Sequence, residues 1–288
     1  MEPIRHLVAA ERAPLVAAGS FESHISVWSL TSRVCVSAFE TVLDFGGTRL
    51  ALSPDGERCI AASYKKDAVV CYETISGAEM WARTDISCPQ YVGFDAAGTH
   101  IFVGADCGTL ACDAGTGDTA DRFPKPEYVA ESPFGEIRFL RQSPPRVYDP
   151  SLDASHRITQ HSFAPLSVGF AQDAIAVSWS GGPVACSDLR GKELWTYQPQ
   201  SGHHVLDLRF SFEQDAFLAV EWPFERGGGK DLIRLSRSTG NKTFVGAIGK
   251  PTVTTFASAG GLLVTSDGRV VNTETGGTED PFETWSSS

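Results

Sequence analysis

Short apolar runs separated by turn residues recur along the whole chain, with the spacing of strands and none of the sustained 3.6-residue period of capped helices. In Ala68-Val-Val-Cys-Tyr-Glu-Thr-Ile-Ser-Gly-Ala-Glu-Met-Trp81 an apolar strand meets a tight turn closed by Gly77. A second strand follows, with a tryptophan four residues past that glycine. Pro183-Val-Ala-Cys-Ser-Asp-Leu-Arg-Gly-Lys-Glu-Leu-Trp195 repeats the design, and segments 111–117, 233–240 and 269–277 repeat its first half. The last core residue of this strand, some five before the turn residue, gives the series Trp28, Tyr72, Cys112, Tyr148, Cys186, Leu235 and Val271. Successive members stand about 36 to 49 residues apart, which is the length of a four-stranded propeller blade.

Two further strands precede each marker. Leu50–Glu57 ends in a Pro-Asp-Gly turn and Cys59–Ser63 follows; Tyr91–Gly98 is followed by His100–Gly104, and Leu166–Phe170 by Ala174–Trp179. A short four-stranded sheet cannot bury both faces alone, so each unit stacks on its neighbours around an axis. The expected fold is all-β: a seven-bladed β-propeller with four-stranded antiparallel blades, residues 1–288 forming one domain. Closure then joins the two ends of the chain. Val147-Tyr-Asp-Pro150 departs from the pattern, and a six-blade ring follows if that fourth repeat is not a true blade.

These residues resemble WD-repeat proteins. Val16–Leu30 looks like the second and third strands of a WD blade, with Ser29 where the signature Asp would stand, and Ser20, Glu22 and Trp28 match most of the family's interior hydrogen-bond set, with Glu in place of Asp. The Ser/Thr-Gly turn followed by Trp is also similar to quinoprotein repeats. Those enzymes imply a calcium-bound quinone and commonly adjacent cysteines, and no two of the seven cysteines here are adjacent. Either resemblance implies architecture more than activity, because propellers host unrelated functions.

Candidate chemistry is sparse. The chain lacks Cys-x-x-Cys, His-Glu-x-x-His and Gly-x-Ser-x-Gly, and Gly227-Gly-Gly-Lys230 lacks the Ser or Thr of a phosphate loop. No catalytic residue, metal site or cofactor is expected. A channel-based small-molecule enzyme or sensor, lactonase-like, is the rival expectation. The net charge of −11 argues against general attraction to nucleic acid or anionic membrane. The scattered cysteines and the start Met1-Glu-Pro-Ile-Arg, without an apolar leader, give the expectation of a cytoplasmic location.

Charge sorts by rim. Loops joining second to third strands, and blade to blade, share the top; they carry Lys65, Lys66, Lys125, Arg141, Arg146, Arg226, Lys230 and Arg269 against Glu22, Asp106 and Glu225. Bottom turns carry Asp55, Glu57, Asp95, Asp118, Asp153, Asp173, Glu213 and Asp215, as turn chemistry alone favours. The insertion Glu221-Trp-Pro-Phe-Glu-Arg-Gly-Gly-Gly-Lys-Asp231 lengthens one top loop. Its Trp222, Phe224, Arg226 and Lys230, extended by Trp179, Tyr64, Lys65 and Lys66, are the expected contact set for a partner protein with an acidic surface. A scaffold subunit and an immunity-type inhibitor both fit that expectation.

Overall fold

The computed structural model describes residues 4–20, 23–43, 48–106, 108–123, 128–131, 138–141, 146–149, 154–157, 165–223, 228–251, 253–257, 261–279 and 282. Among these residues every element is a strand, and no helix is long and apolar enough to cross a membrane. Four consecutive strands at a time pair antiparallel, giving sheets that span residues 4–40, 48–83, 91–123, 128–157, 165–197, 203–249 and 254–279. The architecture is an all-β propeller of four-stranded antiparallel blades. Six of these sheets have described side chains; the fourth, 128–157, is described almost entirely as paired backbone.

Burial follows position within the blade. Second and third strands are covered on both faces by adjoining blades, so Arg58–Ser63 and Ala68–Glu73 are buried almost throughout and are built from Ala, Val, Ile and Cys. The outermost strand, Cys35–Glu40 for example, alternates half-buried and exposed positions. The core is therefore a series of inter-blade layers. One joins Ile25 and Val27 to Cys59 and Val70, the next joins Ile60 and Cys71 to Ile101 and Cys112, and another joins Cys186 and Trp195 to Phe217 and Ile233. Among the described residues six cysteines are free thiols; burial pushes Cys59, Cys71 and Cys186 up to about 12, so they behave as small apolar side chains.

The residue five past each marker has a structural meaning. Gly77, Gly117, Gly191, Gly240 and Gly276 all take φ between 68° and 84°, a left-handed conformation that glycine adopts without steric cost. Three of these glycines also receive an aromatic ring from the preceding blade. A Cβ added at Gly77 would lie 2.5 Å from Phe39, at Gly117 2.7 Å from Trp81, and at Gly240 2.5 Å from Trp195. Each tryptophan is fixed at its other edge: Trp81 Nε1 donates to the Ala114 carbonyl (3.1 Å) and Trp195 Nε1 to the Arg237 carbonyl (2.6 Å). The tryptophan that marks the repeat thus seats on the turn of the next blade.

In the first blade the same turn position is Arg33, with φ 62°. Its guanidinium pairs with Glu279 and stands 5.7 Å above the Phe282 ring, which packs on Trp28 at 5.5 Å. The first strand of the chain, Ile4–Ala9, also packs against Thr254–Ala257 of the last blade. The ends meet by side-chain packing, and no sheet mixes strands from the two termini. Of the hydrogen-bond set expected around Trp28, the buried Ser20 hydroxyl has no partner among the described residues, and Glu22 lies outside them.

Phe282 is 4% exposed and holds this joint from outside any sheet. Phe282→Ala should therefore cost roughly 3–5 kcal/mol, read as a fall in the denaturant midpoint at unchanged m-value. A loss under about 1 kcal/mol would show that the ring closes without it.

Candidate functional site

The upper rim divides into two regions on different blades. The turn between the second and third strands of the second blade presents Tyr64, 43% exposed, with exposed Lys65 and Lys66. Beneath it, Thr48 of the first strand pairs with Ser63, and the next residue, Arg49, is exposed. Arg49 Nη1 lies 3.5 Å from His6 Nε2 at the start of the first blade, and Arg5 adjoins them. Burial, with Arg49 and Arg5 close by, pushes His6 down to about 4, so the imidazole is neutral at pH 7. Arg5, Arg49, Lys65 and Lys66 are thus four exposed cations on the upper side of two adjoining blades, with Tyr64 and Asp67 exposed in the same turn as the lysines.

Tyr64, Lys65 and Lys66 belong to the contact set expected from the sequence; Arg5 and Arg49 do not. Counting charges in loops overlooks the first residues of inner strands, although these open onto the same rim. Arg269, counted among the upper cations, is held by Asp267 of its own turn at 2.8 Å. Many acids of the lower turns are spent on local geometry: Asp55 accepts from the Glu57 amide, while Asp173 and Asp215 share Arg237.

The second region lies on the fifth and sixth blades, and there the expected contact set needs correction. Trp179 is 0% exposed, because its ring ends a strand that adjoining blades cover on both sides; it supports the rim without presenting a surface. Tyr64, Lys65 and Lys66 belong to the second blade, so they do not extend a platform with Trp222 on the sixth. Trp222 is half-buried at the end of Ala216–Pro223 and paired with His204. Lys230, only 5% exposed, turns inward and lies 5.7 Å above the Trp222 ring. Phe224 and Arg226 lie outside the described residues.

Acidic groups surround this region. Asp207, on the first strand of the sixth blade, is half-buried as a residue, but its carboxyl is desolvated; burial raises its pKa to about 6, against the pull of the Leu208 amide, Arg209 and Lys230. Burial in turn lowers Lys230, which Asp207 partly offsets. Behind them Glu221, 1% exposed, accepts from Tyr197 Oη at 3.0 Å and from Lys242 Nζ, which ties the fifth blade to the sixth. A buried carboxylate so paired is a structural anchor. Nothing in the sequence pattern pointed to it, because Tyr197 and Lys242 come from two other strands. Among the described residues, no three His, Cys, Asp or Glu side chains converge as a metal site.

This is a WD-repeat-like β-propeller. Superposition with the solved U3-55K structure covers 92% of this chain and 88% of that one, with a TM-score of 0.68 and 12% identity. The RRP9 WD40-repeat crystal structure gives a TM-score of 0.70 at 13% identity, covering 92% of this chain and 87% of the other. At that identity the likeness is one of fold. No protein-family model and no curated protein matches the sequence.

The Asp207–Lys230 pairing has a measurable sign. Folding raises the Asp207 pKa above its ordinary value, so the folded state keeps a proton that the unfolded state releases. Its contribution to stability therefore falls as pH rises from about 4 to about 6. Lys230→Met removes the cation that favours the charged carboxylate and should move the Asp207 titration further upward, read by carboxyl carbon NMR. A midpoint at the ordinary aspartate value in the unmodified protein, or a downward move in the variant, would contradict the pairing.

Proposed function

We propose that this chain is a non-enzymatic protein-binding propeller, acting as an interaction scaffold or an inhibitor of the immunity type, and that its upper rim receives an acidic protein surface. The observation that carries the reading is the exposed cationic rim over the first two blades, on a chain whose net charge is −11. An acidic protein that keeps a positive surface patch repels most partners and orients one with complementary charge. Tyr64 supplies the aromatic contact such interfaces favour. The likeness to WD40-repeat structures supports the scaffold reading at the level of fold. We read the fourth sheet as a full blade, which makes the ring seven-bladed and the chain one domain, and we place the protein in the cytoplasm, bound to neither nucleic acid nor membrane.

Within this reading the first two blades form the primary contact. Trp222, half-buried at the end of its strand, is a second contact on the same rim. A partner broad enough to span both would cover the channel mouth between them, as an inhibitor-like partnership requires.

The test is charge reversal on the rim, combined with affinity capture from the native host and interface mapping by hydrogen exchange. Lys65→Glu with Lys66→Glu should weaken capture at least about tenfold while leaving stability within about 0.5 kcal/mol, since both side chains are exposed. Binding by the unmodified protein should weaken as salt shortens the Debye length below about 8–10 Å. Undiminished capture by the double variant, or protection confined to the lower turns, would refute the assignment.

A further inference from the structure

The seam between the first two blades carries an apolar side chain held out into water. In the loop after the first blade Val42 is 73% exposed, more than any other large apolar side chain among the described residues. Its neighbours Thr41 and Leu43 are both buried. The Thr41 amide donates to the Ser23 carbonyl (2.7 Å), Thr41 Oγ1 lies 2.7 Å from Tyr72 Oη of the second blade, and the Leu43 amide donates to Thr41 Oγ1 (3.2 Å). Leu43 itself enters the layer between the blades with Leu50, Ala68 and Val70. Anchors on either side fix the direction of Val42, and its exposed methyl groups contribute little burial to the fold.

The upper turn of the second blade supplies another apolar member. This turn, 64–67, ends at Ala68, which packs in the same buried layer as Leu43, so the turn and Val42 flank one seam. Asp67 anchors the turn: its backbone is left-handed, φ 48°, and its carboxylate accepts the Cys88 amide at 2.7 Å. Tyr64 is exposed and forms no hydrogen bond or ring contact with another described residue. Arg49 and Lys66 are exposed and form no ion pair among the described residues, and Arg5 and Lys65 are exposed alongside them. The exposed acids nearby are engaged: Asp67 by Cys88, Glu40 by His24 at 3.3 Å and Asp106 by Gln90 Nε2 at 3.3 Å. Single exposed apolar side chains are ordinary on a surface. Two of them fixed on one seam among cations are not.

We propose that this seam receives a short segment of a partner protein in which carboxylate side chains flank an aliphatic or aromatic one. The apolar side chain rests between Val42 and Tyr64, and the carboxylates meet Arg49 and Lys66. The inference rests on the reading of the upper rim as the receptor of an acidic protein surface, and it narrows that reading to one seam and a mixed chemistry. A purely acidic surface would leave Val42 and Tyr64 without an apolar contact. A purely apolar one would desolvate the cations without matching them. The fork of the Arg49 guanidinium suits the two oxygens of a carboxylate. Apolar and cationic side chains together also suit an anionic membrane, but two side chains supply little insertion. A bilayer, moreover, meets the whole face of a chain whose net charge is −11, whereas a short segment meets the seam alone.

Two short synthetic peptides, one alternating glutamate with leucine and one alternating glutamate with serine, test the proposal by titration of the intact protein. The leucine peptide should bind at least about fivefold more tightly, since its apolar side chains leave water on the seam. Val42→Ser should remove that preference with an unchanged melting curve, because the side chain is exposed. Tyr64→Ser, also at an exposed position, provides a second variant and should reduce the same preference. Lys66→Glu should weaken both peptides. Equal binding of the two peptides, or a preference for leucine that survives both serine variants, would overturn the inference and leave the cationic rim standing. Binding of both peptides that neither Lys66→Glu nor Arg49→Gln weakens would overturn the reading of the rim itself. Absence of binding by either peptide at millimolar concentration would overturn both. Cosedimentation with phosphatidylserine vesicles that is lost in Val42→Ser would assign the seam to a membrane and overturn the protein segment.

Discussion

An aromatic ring seated on a left-handed glycine of the next blade is the contact on which the rest of this ring depends. Backbone hydrogen bonds hold each sheet together, and one that crosses between blades runs from the Arg12 amide to the Pro54 carbonyl at 2.7 Å. Apolar layers between blades supply most of the burial, yet such layers are tolerant of small slides. The pins formed by Phe39 on Gly77, Trp81 on Gly117 and Trp195 on Gly240 remove that freedom, because each ring also meets a turn that only one backbone conformation closes. Arg83 adds to the second pin by donating to the Gly117 carbonyl and Thr119 Oγ1. Where the sheet 203–249 meets the sheet 254–279, Gly246 and Gly276 let the two backbones approach directly at the turn.

Fixing the blades at their lower outer turns leaves the two rims chemically distinct. Lower turns are committed to the ring's own geometry, and their Asp residues close turns or bridge blades. Upper loops carry no pins of this kind among the described residues, and Arg49, Lys65 and Lys66 are exposed there.

Much of the architecture was legible in the sequence because one residue in each repeat is under backbone constraint. Gly77, Gly117, Gly191, Gly240 and Gly276 could be read as turn closers from spacing alone, and Trp81 and Trp195 as their regular companions. Arg33 hides the same conformation behind an ordinary residue, and only the structure shows its guanidinium turned to Glu279 and Phe282. Site residues were harder to read. Trp179 and Tyr64 both follow apolar second strands, yet one is sealed between blades and the other stands on the rim; local sequence does not separate them. Lys230 looked like a loop cation, but Asp207, twenty-three positions earlier, and Trp222 draw it inward.

A double-mutant cycle at Trp81 and Gly117 tests most directly whether the blades are held by these pins. Gly117→Ala should cost about 1–2 kcal/mol for the left-handed backbone wherever it is made. With Trp81 present the new methyl also meets the indole, which must shift. In a Trp81→Ala background that second cost disappears, so the two substitutions should couple by about 1 kcal/mol or more. Additivity within about 0.5 kcal/mol would mean that indole and turn do not depend on each other, and that the ring is held by its apolar layers alone.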